Sequence, residues 1–148
     1  MLRQFIVAVV AVALPLALLV PALAQDAASP DVAAPIEFPV VTQDQVLAAC
    51  TAADATEAGC KAVMADYFAY LQQINVAGPD LEALIAALVV ALAQADVAPH
   101  IKAIVIAAVE DIGTKYATGE QAAAIMQIAY TMAAGGTIKT GALGVSGA

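Results

Sequence analysis

Cys50 and Cys60 are the two residues whose chemistry is easiest to interpret, because the chain contains no other cysteine. A catalytic thiol pair usually has two residues between its cysteines, and a zinc site needs more cysteine or histidine ligands than one pair supplies. An isolated pair in an exported protein normally closes a structural disulfide. We therefore predict a Cys50–Cys60 disulfide that joins the end of one helix to the start of the next. A redox-active pair, an intermolecular bond and free thiols are the alternatives.

Other catalytic groups are scarce. His100 is the single histidine, and Ser29 and Ser146 are the only serines after residue 24. Asp111 falls on the same helix face as His100, but a rise of about 1.5 Å per residue separates their Cα atoms by about 16 Å. No serine-based triad, Gly-rich phosphate loop or metal motif is present. We predict no catalytic, cofactor-binding or metal-ligating residue and no enzyme. The enzymatic alternative is a carboxylate pair brought together by folding.

The first 24 residues have the pattern of a secretory signal peptide. Arg3 precedes an apolar run over residues 5–20, and Ala22-Leu23-Ala24 provides small residues for cleavage after Ala24. An uncleaved membrane anchor is the alternative, since about 20 apolar residues can span a bilayer. We expect export through the general secretory route to a periplasmic or extracellular location, with no membrane span in the mature chain 25–148.

The mature chain is strongly acidic. It keeps four lysines, no arginine and all 13 acids, which gives a formal charge of −9. Nucleic-acid binding requires clustered basic residues, and anionic membrane surfaces repel an acidic protein. We therefore exclude nucleic acid as a partner.

Helix-start signals and apolar faces with helical spacing alternate along the rest of the chain. Thr42 and Gln45 form a predicted capping box, Asp54 is the predicted cap of the second helix, and Thr118 with Gln121 repeats the box. The predicted helices cover residues 42–53, 55–75, 79–96, 99–117 and 119–134. Their short connections favour antiparallel neighbours, so we predict an all-α, compact bundle of about five short helices.

The helical domain over 42–134 has an extension at each end. Residues 25–41 contain three prolines, which favour an extended lead-in, and residues 135–148 are rich in glycine, which favours a flexible tail.

Two sets of side chains are candidates for binding. Residues 83–93 have no polar side chain, and we expect this helix to be the buried centre of the bundle. A subunit or partner interface through Leu84, Leu88 and Leu92 is the alternative. A pocket for an apolar ligand would be lined by Met64, Tyr67, Tyr70 and Met126, and core filling is the other interpretation of these four.

These observations favour an exported, non-enzymatic interaction module or assembly subunit that binds a protein partner or itself. The alternative is a periplasmic binding module for an apolar small molecule or for unfolded chains.

Overall fold

A computed structural model describes residues 39–144, which form a bundle of five α-helices with no strand in that range. The helices are α1 (Gln43–Thr51), α2 (Glu57–Gln73), α3 (Gly78–Gln94), α4 (Pro99–Lys115) and α5 (Gly119–Ala133). A 3₁₀ helix, Thr140–Leu143, follows α5. The all-α prediction is confirmed. The predicted signal peptide 1–24 and most of the lead-in 25–41 lie outside the described residues.

The first helix begins as its sequence predicts. The backbone N–H of Gln45 donates to Thr42 Oγ1 at 3.3 Å, and the backbone N–H of Thr42 donates to Gln45 Oε1 at 2.9 Å. These two bonds are the reciprocal capping box.

The side-chain caps at the beginning of α2 and of α5 differ from those predicted. Thr56, not Asp54, caps α2, because Asp54 lies within a turn closed by the Ala55 N–H and the Ala52 carbonyl. Thr118 is the N-cap of α5 but makes no side-chain cap. Its expected partner Gln121 instead donates to the carbonyl of Glu82 in α3, at 2.6 Å, so a tertiary contact replaces the local one.

The centre of the bundle is α4, not the apolar helix α3. Helix α4 contacts each of the other four helices, and its residues Ile101, Val105, Ala108 and Ile112 are almost completely buried. Helix α3 buries one side only and leaves Ala83 exposed and Val90 partly exposed. The small alanines on its outer side explain why a helix whose residues 83–93 include no polar side chain can remain at the edge of the bundle, since exposing a methyl group costs little.

Helices α4 and α5 approach closely at Gly113. A Cβ atom built on Gly113 would lie 3.1 Å from Ile125 Cγ2 and 3.1 Å from Met126 Sδ. Glycine at this position therefore lets α5 pack directly on the α4 backbone.

Candidate functional site

The two cysteines join the α1–α2 hairpin as predicted. Cys50 in the last turn of α1 and Cys60 in the first turn of α2 form a disulfide, and both residues are completely buried. A sulfur pair inside the core is shielded from thiol substrates. The structure therefore assigns the pair to the framework of the hairpin.

His100 is part of the same region and not of a catalytic cluster. Its Nε2 lies 3.3 Å from the carbonyl oxygen of Ala53 in the α1–α2 turn, to which the Nε2–H tautomer donates. Asp111 pairs instead with Lys115, at 2.8 Å, as the spacing of four residues predicts. Within residues 39–144, no three His, Cys, Asp or Glu side chains are grouped closely enough to hold a metal ion.

The four residues expected to line an apolar pocket occupy three different environments. Met64 and Tyr67 are buried in the core, and burial raises the pKa of the Tyr67 hydroxyl. Met126 packs beside Gly113 between α4 and α5. Tyr70 is partly exposed and lines a shallow groove on α2.

The aromatic side chains of α2 contact an aromatic side chain at the end of α4. Phe68 stacks on Tyr116 with ring centroids 3.9 Å apart, and Tyr67 meets Phe68 edge to face at 5.3 Å. These contacts fix α2 against α4, so Tyr67 and Phe68 serve packing and Tyr70 alone remains at the surface.

The candidate interface leucines of α3 are divided between core and surface. Leu88 and Leu92 are completely buried, because they point at the other helices, whereas Leu84 is partly exposed. Two of the three residues are therefore inaccessible to a partner in the folded chain.

The groove beside Tyr70 forms an apolar surface that we call the N-terminal patch: Pro39, Val40, Val41, Ala69, Tyr70 and Ile74. Pro39, Val41, Ala69 and Tyr70 line the groove, together with Asp66 and Gln73. Val40 is 60% exposed and Ile74, one turn beyond Tyr70, is 50% exposed. Helix α2 ends at Gln73, so Ile74 is its C-cap and turns outward, although helical spacing from Tyr67 and Leu71 predicts that Ile74 lies on the buried face.

A second groove, which we call the α5 groove, lies between α5 and the segment that follows it. Its volume is about 410 Å³. The residues that line it are Ala124, Gln127, Ile128, Thr131, Thr137, Ile138 and Lys139. Sequence reasoning missed this groove because a Gly-rich composition predicts a flexible end and no wall of a groove. The available signal was Ile138, one of the few bulky apolar residues in that tail.

The described part of the tail packs on the bundle. Ile138 and Leu143 are partly buried against the core, and the 3₁₀ helix contacts α5. These contacts do not test the flexibility of the tail, which stays a prediction.

Comparison with known proteins identifies no relative: no family model matches the sequence, and neither curated proteins nor solved structures include a match. None of the described helices is both long and apolar enough to cross a membrane.

Proposed function

We propose that this protein is an exported, non-enzymatic interaction module that binds a different protein through its N-terminal patch. The observation that carries the proposal is the exposure of Val40 and Ile74, at 60% and 50%. These two residues directly follow Pro39 and Gln73, which line the groove together with Tyr70. Large apolar side chains grouped at the surface of a small domain are typical of binding sites. A buried disulfide is consistent with an oxidising, exported location.

The charge of the domain indicates what kind of partner would bind. Residues 39–144 carry ten acids and four lysines, and Asp66 lines the patch groove itself. A second copy of the chain would bring the same negative charge, and like charges facing each other across an interface weaken binding. We therefore favour a partner that presents apolar side chains flanked by lysine or arginine, over the assembly of identical subunits.

Site-specific photocrosslinking in cells tests this proposal. A photoreactive phenylalanine analogue at Ile74 is expected to give a discrete adduct with a basic partner. The same residue at Ala58, which is exposed near the other end of α2, is the matched control and should give none.

A charge-reversal variant tests whether formation of the adduct depends on the charge of Asp66. Asp66→Lys in the Ile74 crosslinking variant should reduce the adduct, because it replaces attraction to the partner with repulsion. Equal adducts from positions 58 and 74, or an adduct at 74 that Asp66→Lys leaves unchanged, would contradict the proposal.

The α5 groove favours a second candidate function, the binding of an apolar small molecule. A volume of about 410 Å³ is within the range of ligand pockets, and Ile128 and Ile138 supply apolar walls. Binding of a hydrophobic fluorescent dye to the folded, oxidised protein checks this candidate, and failure to bind would count against it.

A further inference from the structure

Three surface grooves differ in the charges that line them. The groove of the N-terminal patch contains Asp66 and no cation. A groove of about 200 Å³ between the α3–α4 connection and the end of α5 contains both Asp96 and Lys102. The α5 groove contains Lys139 and no acid among its described lining residues. Of these three grooves, the α5 groove is therefore the one whose own charge favours an anion.

The rest of the α5 groove is suited to a hydrocarbon chain. Ala124 and Ile128 of α5 form one wall, and Ile138 of the following segment forms the other. Ile128 is 4% exposed and belongs to the core, so this wall is fixed by the packing of the bundle. Lys139 is exposed at the same groove and makes no ion pair with the described part of the chain.

We propose that the α5 groove binds a single-chain fatty acid of medium length, with its chain between Ile128 and Ile138 and its carboxylate at Lys139. The inference deepens the second candidate function and depends on it. A carboxylic acid with a pKa of about 4 is ionised at neutral pH, so it can pair with the lysine ammonium. The acidic remainder of the protein surface repels the same anion, which restricts its carboxylate to this groove.

Native mass spectrometry and calorimetry with three ligands of equal chain length test the proposal. The ligands are decanoate, decanol and decyltrimethylammonium, each kept below the concentration at which micelles form. Decanoate is expected to bind once per chain, and about 1.4- to fivefold more tightly than decanol, which is the range of an exposed ion pair. Decyltrimethylammonium should bind most weakly.

Four variants locate the interactions. Lys139→Gln should lower decanoate affinity to the level of decanol, whereas Lys115→Gln, which removes a lysine outside the groove lining, should not. Ala124→Phe should fill the groove and remove binding of all three ligands. Ala123→Phe adds the same ring at the exposed neighbouring position of α5 and should leave binding unchanged. Urea unfolding of each variant verifies that it is folded.

The outcomes separate the two proposals. Equal affinity for decanoate and decanol, with no effect of Lys139→Gln, would overturn the carboxylate preference and leave the apolar groove standing. Binding that survives Ala124→Phe would overturn the location. No binding of any ligand would overturn both the fatty-acid site and the small-molecule function.

Discussion

Removal of the disulfide should destabilise this protein by an amount that depends on the length of the loop that the bond closes. The two cysteines lie 10 positions apart in the sequence, and the chain-entropy model gives about 2.8 kcal/mol for the loop of about 11 residues that they close. Both side chains are completely buried, so the replacement should be apolar. We therefore choose the double variant Cys50→Ala/Cys60→Ala, and expect the free energy of unfolding to fall by about 3 kcal/mol. With a urea m-value of about 1–3 kcal/mol/M, the midpoint should move by about 1–3 M.

Two controls identify the cause of this loss. The unmodified protein unfolded in urea with excess reductant should reach the midpoint of the double alanine variant, because both then lack the cross-link. The double serine variant should be less stable again by about 1–3 kcal/mol for each hydroxyl buried without a partner. A double alanine variant that loses less than about 1 kcal/mol would refute the conclusion that the disulfide supports the hairpin.

Three further predictions concern the bundle itself. Asn75 after α2 and Gly135 after α5 both have a positive φ, at 57° and 70°, which glycine adopts most easily. Asn75→Gly should therefore stabilise the protein, and Gly135→Ala should destabilise it, each by about 1 kcal/mol in urea unfolding. Leu88→Ala should cost about 2–5 kcal/mol because Leu88 is completely buried, and Leu84→Ala less than half as much; equal losses would contradict the different burial. Burial raises the pKa of Tyr67 and of Tyr116 above the ordinary 10.0, and Asp111 adds to the shift at Tyr116. The unfolded chain then loses these protons first, so stability should fall as pH rises past 10, and Tyr67→Phe should make urea midpoints less dependent on pH there.

The sequence predicts local structure best where no other helix interferes. The Thr42–Gln45 box forms because both residues lie at a free helix start. The apolar positions of α5 (Ile125, Ile128, Ala129 and Met132) are all buried, in agreement with their helical spacing. The second predicted box fails because Gln121 finds the Glu82 carbonyl of another helix. A pattern within four residues contains no information about that partner.

The candidate sites depended more on tertiary structure than the helices did. Uniform apolar character could not show that α3 would lie at the edge of the bundle, because alanine is compatible with both core and surface. The α5 groove requires the chain to turn back along α5 after Gly135, so that Ile138 and Lys139 line it. Composition predicted a Gly-rich tail but could not predict its path.

We propose that the apolar residues of α3 complete the core of a single chain, and that other molecules bind at the N-terminal patch or in the α5 groove. Light scattering on a sizing column, with the purified oxidised protein over a wide concentration range, tests whether α3 joins one chain to another. We predict the molar mass of one chain at every concentration, because Leu88 and Leu92 are already buried. A discrete oligomer, or a mass that grows with concentration, would contradict the assignment of α3 to the core of one chain and favour an assembly subunit.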